Sequence, residues 1–229
     1  MSISSYIAGL NLPFSNAQLL NGLACGATVG AFYFALPTSA VREAADREAG
    51  KIAHMPPGRQ GEIITLTHTL GLIGPALVFT IGLPLNRFKT PDWLLRFTLP
   101  PAPSSNAYYG LRLAGVVGAL GCGAGIAWTT KALAAQWHFI GVREHPKLVK
   151  TGPYAIVRHP MYSFGILMDL VSAVMYWNWI PLAGAALTTV AFAIKIPMEE
   201  KLILNKKGLG DDYKQYRREV PSRIIPYIW

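Results

Sequence analysis

The chain has 229 residues, of which 52% are hydrophobic and only 14% charged. A soluble domain carries roughly 25% charged residues, so this chain has too few to cover a soluble globule, and its mean hydropathy of +0.30 indicates a membrane as solvent. The net charge of +9 is not a nucleic-acid signature, because the basic residues fall in the gaps between apolar runs, where a phosphate-rich bilayer face would meet them.

Residues 1–16 lack the basic n-region of a cleavable signal peptide. Five runs that follow are apolar and long enough to cross roughly 30 Å of hydrocarbon. They lie at about 17–37, 62–84, 108–134, 161–179 and 181–198. The first holds Gly22, Gly26 and Gly30 at four-residue spacing, and the third holds GALGCGAG at 118–125. Small residues at this spacing let membrane helices approach closely, so both sets read as packing glycines. The second glycine run is not a dinucleotide fingerprint, since no strand precedes it and the first acidic residue after it is Glu144. Cys25 and Cys122 both lie inside apolar runs, which excludes a disulfide framework or a multi-cysteine zinc site, and no metal is expected.

Between the runs, 38–53 reads as a polar or interfacial helix ending before Met55-Pro56-Pro57-Gly58. The stretch 85–106, with Pro91, Pro100, Pro101 and Pro103, reads as an irregular connection. The fourth and fifth runs are joined by Tyr176-Trp177-Asn178-Trp179, a tight link that predicts a helical hairpin with an aromatic interfacial belt. From 198 onward the chain predicts an amphipathic helix broken near Gly208–Gly210, resumed to Glu219 and followed by a Pro-punctuated end. The predicted fold is an all-α integral membrane protein of about five spans with a C-terminal hairpin and a cytosolic tail helix. A three-span region, 1–135, precedes a catalytic region, 136–229.

With a lumenal N-terminus, the cytosolic segments 38–61, 131–160 and 195 onward hold four, five and eight of the 21 Lys and Arg residues. The other side keeps Arg87, Lys89, Arg96 and Arg112, so the positive-inside rule selects this orientation. It puts TGPYAIVRHPMY (151–162) and the C-terminal tail on one face.

His68 reads as a satisfied or interfacial histidine. Asp169, inside the fourth run, must pair with a neighbouring helix or line a polar site. Lys195 and Glu199 alone would be an i,i+4 pair at a helix end, and Arg158-His159-Pro160 alone a basic spot before a Pro-started helix. Their convergence on one membrane face, with Glu199 lying 37 residues after Tyr162, points to a site.

HPKLVKTGPYAIVRHPMY (145–162), a hydrophobic hairpin and EEKLILNKKGLGDDYKQY (199–216) together resemble the isoprenylcysteine carboxyl methyltransferase family and, more widely, the phospholipid N-methyltransferases. The likeness covers roughly residues 136–229 and implies S-adenosylmethionine as cofactor. By position it assigns Lys147, Leu148, Val149 and Tyr154 to one cofactor wall, His159, Pro160, Met161 and Tyr162 to the next, and Glu199 and Glu200 to the closure. It also assigns Arg158, Lys195 and Glu199 to the reaction. Arg158 or His159 with backbone N–H groups would hold the cofactor carboxylate, Glu199 its ammonium, and Tyr154 or Tyr162 its adenine. Where the family has an arginine to meet the substrate, this chain has Lys195, which keeps the charge without the bidentate fork.

The resemblance implies an endoplasmic-reticulum enzyme that methylates the C-terminal carboxylate of a prenylated cysteine at the cytosolic membrane face. Its partners would be membrane lipids and prenylated protein C-termini or a lipophilic small molecule. Alternatives are N-methylation of a phospholipid head group or methylation of another lipophile. From another class comes an NADPH-dependent sterol-type reductase, whose end resembles VPSRIIPYIW (220–229).

Overall fold

The computed structural model describes residues 5–7, 10–138 and 140–229. The expectation about residues 1–16 therefore falls partly outside the described residues. The elements in chain order are a small hairpin of β1 (Ser5–Ile7) and β2 (Leu10–Leu12), α1 (Asn16–Ala35), α2 (Ser39–Ala49), β3 (Ile52–His54) and α3 (Gln60–Leu85). Then come α4 (Asp92–Leu95), α5 (Ser105–Leu133), β4 (Val142–Arg143), α6 (Pro160–Tyr176), α7 (Ile180–Leu204) and α8 (Gly210–Glu219).

The long helices match the apolar runs and begin where capping chemistry predicts. Ser15 Oγ accepts from Gln18 N while Gln18 Oε1 accepts from Ser15 N, a capping box at the start of α1. Ser104 caps α5, and Pro160 opens α6, where its missing N–H costs nothing. Packing runs α1 on α5, α5 on α6, α6 on α7, α7 on α3 and α3 back on α1, which closes a five-helix bundle. Leu23, Val29, Phe34, Leu66, Leu77, Val117 and Val190 are exposed around its outside. So much apolar surface is stable only against lipid.

The helices containing α1, α3, α5 and α7 are long and apolar enough to cross a membrane. The fourth expected span is shorter than predicted: α6 has 17 residues and stops at Tyr176, where Trp177 adopts a left-handed conformation with φ 54°. At about 1.5 Å per residue, 17 residues reach about 25 Å. The aromatic link then pairs with the 85–106 connection, through Leu99 N to Trp177 O at 3.1 Å and Trp179 N to Phe97 O at 2.8 Å. Arg87, Lys89 and Arg96 thus share one end of the bundle with the hairpin turn, opposite Arg158 and the tail.

Two further expectations are corrected. In α1, a methyl group on Gly26 would touch nothing, and on Gly22 or Gly30 it would meet only ordinary contacts. The close approach is made by Ala31 against Gly123 of α5, where a Cβ would lie 2.7 Å from the Ala31 Cα. Gly115 and Gly125 are equally tight against Met175 and Phe164, so the third run does contain packing glycines. The segment 38–53 ends its helix at Ala49, and β3 then pairs antiparallel with β4. Arg143 anchors that ribbon, donating to Trp137 O, Asp46 Oδ1 and Gly50 O.

Candidate active site

The site forms where the start of α6, the end of α7 and the C-terminal tail meet. Gly152, at φ +62°, allows the short 3-10 turn Gly152–Ala155, which leads to Arg158 and His159 just ahead of α6, with His159 at its N-cap. On α7 the interior Pro197 lies between Lys195 and Glu199 and removes one backbone bond of the helix. The tail then crosses both helix ends. Ser222 O accepts from Arg158 N at 3.0 Å, Arg223 O from His159 N at 2.8 Å, and Ile224 O from Ser163 Oγ at 2.6 Å.

Glu200 is the structural acid of the cluster. Arg158 Nε lies 2.9 Å from its Oε1, His159 Nε2 3.5 Å from the same oxygen, and Arg223 Nη2 3.4 Å from Oε2. The other arm of Arg158 donates from Nη1 to Val220 O and Pro221 O. Such a fork suits a guanidinium, whose rigid donors satisfy several acceptors at once.

Glu199 is the neighbouring acid, and its partners are chemically different. Tyr162 Oη donates to Oε1 at 2.7 Å, Lys195 Nζ stands 3.8 Å from Oε1, and His159 Nδ1 is 3.7 Å from Oε2. Lys195 is only 1% exposed and its ammonium lies 5.2 Å over the Tyr162 ring. That is cation–π distance, which partly compensates for lost hydration. Three basic side chains, Arg158, Lys195 and Arg223, thus surround two carboxylates. With Lys195 protonated the cluster holds one positive charge more than its two carboxylates balance, next to apolar surface, which suits an anion.

A row of rings floors this cluster. His159 stacks on Tyr162 at 5.4 Å, Tyr162 on Phe192 at 4.1 Å, and Phe192 meets His68 at 5.2 Å. His68 Nδ1 is satisfied by Ile64 O at 3.1 Å.

Most residues singled out in the sequence lie around this end. Tyr154 is buried, its carbonyl accepts from Tyr216 Oη at 2.7 Å, and burial, Tyr216 and Glu199 raise its hydroxyl pKa so that it stays protonated. Leu148 packs with Tyr213, Tyr216 and Val220, Lys147 is exposed with its N–H on Gln136 Oε1, and Val149 is half-buried. Pro160 is buried and Met161 half-buried in the first turn of α6.

Two contacts bear on the expected roles. The backbone N–H groups of Arg158 and His159 are committed to tail carbonyls, so they are not free to hold a cofactor carboxylate. The Tyr162 ring is already stacked between His159 and Phe192. Asp169 is remote: it accepts from Thr188 Oγ1 of α7 at 3.2 Å, the helix-pairing alternative.

Sequence reasoning missed Phe192, Arg223 and His138. A phenylalanine in an apolar run and an arginine in a Pro-rich tail carry no local signal. His138 Nδ1 is buried with no hydrogen-bond partner among the described residues. Desolvation lowers its pKa, with Glu199 opposing and Arg143 and Lys195 adding to the shift.

Comparison with known proteins bears on the same half of the chain. Residues 111–207 match the phospholipid methyltransferase family. Protein-S-isoprenylcysteine O-methyltransferase B of Arabidopsis thaliana is 38% identical over 96 residues, 40% of this chain and 46% of that protein. The probable protein-S-isoprenylcysteine O-methyltransferases of Oryza sativa, subspecies indica and japonica, are 33% identical over 92 residues, 39% of this chain and 46% of theirs. The chain thus spans about half the length of the curated relatives it matches.

Proposed function

We propose that the chain is a membrane methyltransferase of the isoprenylcysteine carboxyl methyltransferase family, a reading its partial likeness to those proteins supports, and that it methylates the C-terminal carboxylate of a prenylated cysteine, using S-adenosylmethionine. When bound, S-adenosylmethionine supplies a methyl group on a sulfonium, open to in-line attack by an ionised oxygen. The donor set fits that molecule: Glu199 suits its ammonium, and Arg223 or Lys147 suits its carboxylate. Tyr154, held as a neutral phenol, suits its adenine.

The observation that carries the reading is Lys195, a nearly inaccessible ammonium held 3.8 Å from Glu199 at the edge of the hydrocarbon. A buried cation there favours an anionic acceptor. A carboxylate is already ionised at neutral pH, so no general base is needed. Lys195 would draw it from water, and α6 and α7 would hold it in line. The isoprenoid is accommodated along Leu72, Ile166 and Phe192, apolar side chains beside the same cluster. Lys195, Glu199 and Arg158 are therefore the residues of the reaction, with Arg158 acting by positioning Glu200 and the tail. The basic end of the bundle would face the cytosol, and the endoplasmic reticulum membrane is the proposed location.

The phospholipid methyltransferase match supports a second reading, N-methylation of a lipid amine. That acceptor needs a free carboxylate, whereas Asp169 is bound to Thr188 and Glu200 is engaged by Arg158, Arg223 and His159. The test supplies purified protein with labelled S-adenosylmethionine and, separately, N-acetyl-farnesylcysteine and a phospholipid amine. Base-labile label on the prenylcysteine is the expected result. Label on the lipid alone makes the second reading correct, and absence of both with NADPH binding overturns methyl transfer.

A further inference from the structure

Beyond the site, a cleft of about 540 Å³ opens at the end of α7, lined by His54, Met55, Leu202, Asn205, Lys206 and Lys207. Its depth in the bilayer follows from the helix. Taking the Trp177–Trp179 belt as one hydrocarbon boundary, about 20 residues at about 1.5 Å each reach the other boundary near Glu200. The helix ends at Leu204, about 6 Å farther out, so Asn205–Lys207 follow at the outer edge of the polar layer, about 5–8 Å thick, where lipid phosphates lie.

The chemistry of the lining is divided. Lys206 and Lys207 make no ion pair among the described residues. His54 and Asn205 add hydrogen-bonding groups, while Met55, 53% exposed, and Leu202 give apolar wall. The wall is also pre-organised. His54 and Ile52 pair with Val142 and Arg143, and Arg143 is tied to Asp46, Gly50 and Trp137. A rigid pocket with paired cations and an apolar flank, at phosphate depth, suits a ligand that is anionic at its head and apolar beyond it.

We propose that this cleft binds the headgroup of an anionic phospholipid of the adjoining leaflet. Lys206 and Lys207 take the phosphate and its extra negative charge, and Met55 and Leu202 flank the glycerol and first acyl carbons. The contact is independent of the methyl acceptor, because none of these six residues belongs to the Arg158–Glu199–Glu200 cluster.

The test uses the full chain in detergent micelles, with thermal unfolding followed during titration by dioctanoyl phosphatidylserine, dioctanoyl phosphatidylcholine or inorganic phosphate. The serine lipid is expected to raise Tm at concentrations where phosphatidylcholine and phosphate do not. Lys206→Gln/Lys207→Gln should raise the required concentration about tenfold or more, while Lys206→Arg/Lys207→Arg responds as wild type. An equal response to phosphatidylcholine, a full response to phosphate alone, or an unchanged response in the glutamine variant would each overturn the assignment. Tm without added lipid reports whether each variant is folded.

Discussion

Arg158 Nε lies 2.9 Å from Glu200 Oε1, and both side chains are only 4% exposed. The pair joins the start of α6 to the end of α7, and the remaining donors of Arg158 hold the tail at Val220 and Pro221. Breaking a buried pair by removing one partner costs about 3–5 kcal/mol, because the other charge stays behind. Arg158→Ala should therefore lose stability of that order and release the tail. Arg158→Ala/Glu200→Ala should lose less than the two single changes added together. Unfolding of the four proteins in micelles measures that coupling.

Glu199 gathers Tyr162, Lys195 and His159. Tyr162→Phe removes one hydrogen bond to a charged group, about 1.5–3 kcal/mol, and should weaken S-adenosylmethionine binding about tenfold. Glu199→Gln should weaken it more, since it also leaves Lys195 without a counter-charge. Titration calorimetry with the folded variants decides; wild-type affinity in both would remove Glu199 from the cofactor site.

Lys195 should separate acceptor binding from cofactor binding. Lys195→Met is expected to raise KM for N-acetyl-farnesylcysteine at least about tenfold, from loss of a charge-assisted contact of about 1.5 kcal/mol or more. Lys195→Arg should keep most of the activity. Equal KM values for wild type and Lys195→Met would dissociate this residue from the carboxylate.

The glycines make a paired test of packing. Gly26→Ala adds a methyl group in open space and should stabilise α1 by up to about 1 kcal/mol through helix propensity. Gly123→Ala drives the same methyl into the Ala31 backbone, where overpacking costs about 1–3 kcal/mol. Opposite shifts in Tm are expected.

His138 makes stability depend on pH. Its folded pKa is lowered by burial from the ordinary 6.5, so below that pH the unfolded chain binds a proton that the folded one does not. This part of the stability is present above pH 6.5 and is lost as pH falls from 6.5 toward the depressed value. Tm measured from pH 7.5 to 5 should fall more steeply for wild type than for His138→Gln.

The helices were legible because their information is local. An apolar run long enough for the bilayer, a cap such as Ser15 or Ser104 and a proline at position 160 act within a few residues of themselves. Lysine and arginine placement likewise separated the two ends of the bundle. The convergence of Tyr162 and Glu199 was readable because one tight hairpin joins them, returning α7 to the level where α6 began. What only the tertiary structure decided depends on partners distant in the chain. Nothing near Arg158 announces that its N–H and guanidinium will be taken by carbonyls of residues 220–222, and nothing in α1 distinguishes idle Gly26 from crowded Gly123. A hydrogen-bond donor or a small side chain acquires its role from whatever packs against it, and that assignment is made only when the helices and tail close around one another.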